Sequence, residues 1–235
     1  MDSCTREKVM SYHELSKEAK MVSLILRRLV IEAVVSTTHA IKRAIDVIGA
    51  TIGLIAFSPI MAMAAIAIKI EDGGPLFYEQ TRVGKWGKEF KIIKFRSMRV
   101  DADKMKDKLL AQNETKGLTF KMKVDPRITK VGKWIRKLSV DEMPQFVNVL
   151  RGEMTLVGPR PPVPREVALY GPHERRRLEV TPGITCIWQV SGRSDIPFDG
   201  QVLLDIRYIR ERTIWTDIVL LFKTIPAVLL GKGAY

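Results

Sequence analysis

The sequence has little of what several large protein classes depend on. Only two cysteines, Cys4 and Cys186, occur in 235 residues. They form neither a disulfide framework nor a metal-ligand spacing, which fits a reducing compartment. The three histidines, His13, His39 and His173, are scattered and lie near no second metal-type ligand. Zinc chemistry and a histidine-based triad are therefore not expected. Aromatic residues make up 7% of the chain, too few for the stacking platforms of single-strand nucleic-acid binding. There is no zinc-finger or aromatic RNA-binding signature, so no nucleic-acid partner is expected. The start lacks a signal-peptide cleavage pattern, and no internal repeat or low-complexity linker is present.

What the sequence does have is positive charge and apolar runs. Lys and Arg total 39 against 26 Asp and Glu, a formal net charge of +13. Such a balance implies an anionic partner, either an anionic lipid surface or a phosphorylated substrate. A length of 235 residues and a hydrophobic content of 46% suit one catalytic domain with a membrane segment, or a single larger domain.

Residues 1–20 are polar and of mixed charge, a tail or a surface helix. Residues 21–38 are apolar but interrupted by Arg27, Arg28 and Glu32. They read as an amphipathic helix lying at a membrane interface, or packed on the domain or on a second copy in a homodimer. From Val47 to Ile68 there is no charge at all. At ~1.5 Å per residue this run is long enough to cross a hydrocarbon core of ~30 Å. Yet Ser58-Pro59 falls at its middle, where proline removes a backbone donor and the serine hydroxyl can cap a freed carbonyl. Basic residues flank both ends: Arg27, Arg28, Lys42 and Arg43 before it, Lys69, Arg82, Lys85 and Lys88 after it. Since basic flanks prefer the cytoplasmic side, the run reads equally as a spanning helix or as one that turns back at Ser58-Pro59.

Beyond Gly73-Gly74-Pro75 the chain becomes soluble in character. Residues 76–83 and 89–96 predict two strands of a hairpin around Gly84-Lys85-Trp86-Gly87. Residues 100–113 suit a polar helix, 120–137 form a basic stretch, and 139–150 predict a short apolar helix. VGPRPPVP is a loop of restricted backbone angles. Residues 202–212 and 214–230 predict helices, the last with Pro226 inside it and an apolar face suited to the membrane.

The chemistry concentrates in SVDEMPQF, residues 139–146. Ser139 and Glu142 have capping-box spacing, and Pro144 is tolerable in a first helical turn. Asp141 and Glu142 are thereby expected at a helix start, where backbone dipoles lower carboxylate pKa values and attract phosphate. Acidic residues in a first turn usually only stabilise the helix. Here, however, Arg136, Lys137, Lys94, Arg96 and Arg160 surround the pair in sequence. Carboxylates among cations are what a magnesium diphosphate requires: one to hold the metal, the other to attack phosphorus, with arginines clamping oxygens. For Lys88 and Lys91 a solvated basic face is the simpler reading.

These segments resemble the bacterial sugar transferases, the monotopic phosphoglycosyl transferases that place hexose-1-phosphate on a polyprenyl phosphate in exopolysaccharide synthesis. The resemblance runs from Lys42 to Tyr235. It is carried by KRAIDVIGATIGLIAFSP, KFRSM at 94–98, LSVDEMPQFVNVLRGEMTLVGPRP at 138–161, PGIT at 182–185, WQVSGR at 188–193, LDIRYI at 204–209 and the closing GKGAY. It implies an α+β, mainly helical fold: a re-entrant membrane helix broken at Ser58 and Pro59, a small cytosolic catalytic domain with a short β-hairpin, and interfacial amphipathic helices. The divisions expected are 1–40, 41–72 and 73–235.

The resemblance also assigns roles. Asp141 attacks the phosphate of a UDP-sugar, UMP leaves, and undecaprenyl phosphate then takes the phosphosugar. Glu142 holds Mg²⁺. Lys94, Arg96, Arg136, Pro159, Arg160, Pro161, Gln189, Arg193 and Asp205 match substrate-binding positions. Galactose or glucose are the sugars it implies, and the cytoplasmic face of the bacterial inner membrane is the location. Where relatives often carry glycine after PGIT, this chain has Cys186, a poor candidate for a nucleophile. A membrane-anchored glycosyltransferase releasing UDP, or a basic membrane protein without activity, are the competing readings.

Overall fold

The computed structural model describes residues 3–102, 105 and 125–230. The polar helix expected over 100–113, the start of the 120–137 basic stretch and the closing GKGAY lie largely or wholly outside these residues. By its internal contacts the chain divides into two units, Met1–Ile45 and Asp46–Tyr235. Helix α1 (Ser3–Asp72) runs through the boundary.

In the first unit, residues from Ser3 are helical rather than a tail. From Met21 to Val35 the large apolar side chains of this unit are exposed, Leu24 and Val30 among them. Arg28 and Glu32 pair one turn apart at 2.8 Å. Over Met21–Asp72, α1 is long and apolar enough to cross a membrane by length and composition.

In the second unit, α1 stays helical through Pro59. Proline removes the N–H that would have reached the Ile55 carbonyl, and the Ser58 hydroxyl donates to that same carbonyl at 2.8 Å. The unit packs on α1 through small residues. An added Cβ at Gly49 would meet Leu156 at 2.6 Å, and one at Gly53 would meet Phe146 at 2.9 Å. Asp46, buried on the same stretch, accepts from Thr155 Oγ1 at 2.6 Å and from the Leu156 N–H at 2.9 Å.

The expected hairpin forms: β1 (Phe77–Val83) and β2 (Glu89–Phe95) are antiparallel, with Tyr78 opposite Lys94. Helix α2 (Lys130–Lys137) is capped by Thr129, whose Oγ1 accepts from the Gly132 N–H. A single 3₁₀ turn (Val140–Glu142) leads to α3 (Gln145–Leu150). The capping box expected at Ser139 does not form: Ser139 takes a left-handed φ of 54° and its side chain caps nothing. Asp141 and Glu142 thus precede the helix rather than open it.

A parallel pair joins β3 (Thr155–Val157) to β4 (Gly183–Thr185). Its sequence signal is slight, since both strands are very short. At its end the backbones of Gly158 and Gly183 nearly touch: a Cβ on Gly183 would lie 2.0 Å from the Gly158 nitrogen. That contact explains the glycine of PGIT. Short helices follow, α4 (Pro164–Val167), α5 (Pro172–Arg175) and α6 (Ile187–Ser191), then the two longer expected ones, α7 (Phe198–Glu211) and α8 (Ile214–Leu230).

Two apolar clusters hold these elements. One gathers Ala50, Ile92, Val149, Leu156, Tyr208 and Leu220. The other gathers Ala64, Ile68, Phe95, Ile135 and Val140. The second puts Val140, the residue just before Asp141, in one cluster with Ala64 and Ile68 of α1, so packing of this apolar helix and placement of the dyad are coupled.

Candidate active site

A cavity of about 930 Å³ opens in the second unit. Asp141, Glu142, Lys94, Arg96, Arg136, Arg160, Pro161, Gln189 and Arg193 line it, so most of the residues singled out from sequence converge. The convergence comes from separate elements. β2 supplies Lys94, α2 supplies Arg136, the turn before α3 supplies the dyad, and the loop after β3 supplies Arg160.

The dyad is partly withdrawn from solvent; Asp141 is only 9% exposed. Lys94 Nζ donates to Glu142 Oε1 at 2.6 Å, and Arg160 Nη1 lies 3.6 Å from the same oxygen. Among the described residues, both cationic partners of Glu142 therefore engage Oε1. The two carboxylates are pushed apart in acidity. Burial, joined by the neighbouring Glu142 charge, raises Asp141 to about 6 against the pull of Lys94, Arg136 and Arg160. Burial acts on Glu142 in the same direction, but Lys94 and Arg160 outweigh it and hold Glu142 well below the ordinary range. The helix-dipole depression expected for Asp141 is reversed because the residue is buried outside the helix.

Backbone strain sits at the same place. Ser139 and Arg193 both have positive φ, 54° and 49°, and both line the cavity. Non-glycine residues rarely adopt this region without surrounding structure to impose it.

The remaining predicted residues fall into three groups. Pro159 is fully buried behind the loop. Its carbonyl accepts from the Gly183 N–H at 2.9 Å, so it shapes the Arg160 loop from behind. Asp205 is fully buried and does not line the cavity. It accepts from Arg177 at 2.8 and 2.9 Å, and Arg177 does line it. Arg96 lines the cavity while its guanidinium forms a two-pronged pair with Asp72. Cys186 is buried, with extended φ, so no glycine is needed there. Burial pushes its thiol well up, consistent with an inert role.

Arg82 and Arg177 were not singled out as site residues. Arg82 Nη1 donates to the Pro161 carbonyl at 2.8 Å and Nη2 to Gln80 at 2.7 Å, tying the hairpin to the loop. Burial, then the nearby Arg160 charge, lowers its pKa to about 10. Arg177 stands between Tyr170 and Phe198, 5.9 Å from each ring centre. Neither carries a distinctive sequence signal: Arg177 closes the run Arg175-Arg176-Arg177, and Arg82 follows Glu79-Gln80-Thr81 in a polar strand.

Among the described residues no cluster of three or more His, Cys, Asp or Glu side chains exists. A cage made wholly of protein ligands is therefore not what this cavity offers. Two adjacent carboxylates, one firmly ionised, suit a cation that brings phosphate and water as its other ligands.

Comparison with known proteins identifies the family. The pattern of the bacterial sugar transferase family matches residues 37–231. The chain is 51% identical over 194 residues to galactosyl transferase CpsE of Streptococcus agalactiae, covering 82% of this chain and 43% of that protein. It is 41% identical over 198 residues to the exopolysaccharide production protein ExoY of Rhizobium meliloti, covering 83% of this chain and 88% of the relative. It is 43% identical over 203 residues to the undecaprenyl-phosphate galactose phosphotransferase of Salmonella typhimurium, covering 85% and 42%. The chain thus spans under half the length of the streptococcal and Salmonella relatives and most of ExoY. With the family pattern covering most of its length and its motifs converging on one cavity, the chain belongs to the bacterial sugar transferase family.

Proposed function

We propose that the chain transfers a hexose-1-phosphate from a UDP-sugar to undecaprenyl phosphate through a phosphosugar held on Asp141. The observation that carries this reading is the dyad. Two adjacent carboxylates of opposite acidity face one cavity among Lys94, Arg136 and Arg160. The Salmonella relative, named for undecaprenyl-phosphate and galactose, supports the choice of acceptor and of galactose, and glucose is the other candidate sugar.

In the first step an Asp141 oxygen attacks the phosphorus that bears the sugar. The bond from that phosphorus to the UMP oxygen breaks, UMP leaves with the electron pair, and an acyl phosphate to the hexose forms. In the second step an oxygen of undecaprenyl phosphate attacks the same phosphorus. The bond to Asp141 breaks, giving undecaprenyl diphosphate hexose and a free carboxylate. Arg160 and Arg136 are placed to clamp phosphate oxygens, and Lys94 keeps Glu142 ionised. Mg²⁺ fits the donor set, since it takes one or two protein carboxylates and completes its shell with water and phosphate. Glu142 would hold it, and it would offset diphosphate charge.

The membrane topology that suits this reaction is re-entrant. The helix would enter, bend at Ser58-Pro59 while staying helical, and return, leaving both flanks and the cavity on the cytoplasmic side of the bacterial inner membrane, at anionic lipid. Product identity tests the chemistry. Purified chain with UDP-galactose or UDP-glucose, Mg²⁺ and undecaprenyl phosphate should release UMP; release of UDP would mean transfer of the sugar without its phosphate.

A further inference from the structure

Lys94 and Arg96 lie two positions apart at the end of β2, where alternate residues share a face. They hold different things. Lys94 grips Glu142 of the dyad, and Arg96 grips Asp72, the last residue of α1. Arg96 Nη1 donates to Asp72 Oδ2 at 2.9 Å, and Nη2 donates to Oδ1. The Arg96 side chain is buried, 7% exposed.

The contact has a built seat. A Cβ at Gly74 would lie 2.6 Å from Arg96 Nη1 and 2.9 Å from Cζ. Gly73 has a positive φ of 68°, but Gly74 does not. The missing side chain of Gly74, not its backbone angle, is therefore what makes room for the guanidinium. The Gly74 N–H also donates to Asp72 Oδ1 at 3.2 Å. The preceding carboxylate is engaged as well: Glu71 Oε1 accepts from the Lys130 N–H at 2.7 Å, at the start of α2. Both acidic residues that end α1 are thus fastened to the catalytic part of the unit.

We propose that Arg96 is a positioning residue rather than a phosphate ligand. It fastens the end of the membrane helix to the strand that carries Lys94, and so sets where the dyad stands relative to the lipid surface. This rests on the reading that the site passes a phosphosugar from a soluble donor to a lipid phosphate. The carboxylate of Asp72 already takes the fork made by the two terminal nitrogens of Arg96, so a phosphate could grip that same fork only by breaking the pair.

The test uses the full chain in lipid nanodiscs and separates the two half-reactions. Exchange of labelled UMP into UDP-sugar, without acceptor, reports the donor half. Transfer to undecaprenyl phosphate reports the whole. Asp72→Asn, Arg96→Lys and Gly74→Ala should each lower kcat for lipid transfer about tenfold or more. UMP exchange and the UDP-sugar KM should stay within about twofold of the unmodified chain. Gly74→Ala combined with Arg96→Lys should be no worse than Arg96→Lys alone, because the guanidinium that the added methyl group would displace is gone. If Asp72→Asn is silent while Arg96→Lys raises the UDP-sugar KM, Arg96 binds donor phosphate and the proposal falls. Equal loss of both half-reactions, in step with a lowered melting temperature, would leave only a folding role and would also overturn it. Absence of UMP exchange in the unmodified chain would sink the covalent reading itself, and this proposal with it.

Discussion

Lys94 donates to Glu142 Oε1 at 2.6 Å across 48 residues of sequence, and this contact acts with burial and Arg160 to set the acidity of the dyad. It keeps Glu142 ionised beside Asp141, and an ionised Glu142 makes Asp141 harder to ionise. One cation thereby helps to give two neighbouring carboxylates different character.

Replacing Asp141 with Asn keeps the size of the side chain and removes the proposed nucleophile. UMP release should fall by about three orders of magnitude or more, with the melting temperature unchanged or raised, since a buried charge is removed. Turnover like the unmodified chain would end the covalent mechanism.

Asp141 must be an anion to attack, and burial raises its pKa to about 6. As pH falls through that value the anionic fraction shrinks. We expect kcat/KM for the UDP-sugar to decline about tenfold per pH unit below about 6 and to level off above about 7. Because Glu142 is held far lower, it should add no second bend in that window. A profile that stays flat down to about pH 5 would mean that the group attacking phosphorus is not Asp141.

Lys94→Met removes the cation that favours the charged form of both carboxylates. The acid limb of the rate profile should move to higher pH, and kcat/KM at about pH 7 should drop about tenfold. Lys94→Arg, which restores the charge, should return the limb towards its original position. An unmoved limb in Lys94→Met would show that Lys94 does not govern the dyad.

Single cysteines placed at Lys42 and at Lys88, in otherwise cysteine-free chain, should both react with a membrane-impermeant thiol reagent from the cytoplasmic side. Labelling from opposite sides would establish a full span. Pro59→Ala restores the missing backbone donor and should shift labelling towards that pattern.

Gly183→Ala would drive a methyl group to 2.0 Å from the Gly158 nitrogen, where only backbone could yield. Thermal or denaturant unfolding should report a loss of about 1–3 kcal/mol or more. Activity should suffer too, because the displaced loop carries Arg160.

The strongly periodic parts of this architecture were legible in the sequence. The hairpin strands, the two C-terminal helices and the long apolar run each announce themselves through pattern and turn residues. What escaped was set by tertiary contact. The parallel β3–β4 pair rests on three-residue strands, too short to carry a period. Ser139 and Glu142 have the spacing of a cap, yet Ser139 takes a left-handed conformation, Val140 packs into the cluster with Ala64 and Ile68, and the dyad lies ahead of the helix. The convergence of Lys94, Arg136, Arg160, Gln189 and Arg193 followed the motifs. Asp205 did not, because a buried carboxylate bound to Arg177 and a cavity-facing one look the same in a string of letters.

The seats that α1 offers at Gly49 and Gly53, filled by Leu156 and Phe146, bear on how such an enzyme can be handled. Ala50, Ala64 and Ile68 of the same helix are members of the cores that hold β2, α3 and the dyad. The apolar helix is therefore not a detachable tether. A chain trimmed to begin after Asp72 would not yield a water-soluble catalyst. It would lose part of its interior, bare Phe146 and Leu156, and free the residue on which Asp141 is hung. Solubility would have to come from redesigning the exposed apolar side chains of α1 and leaving the inward stripe intact.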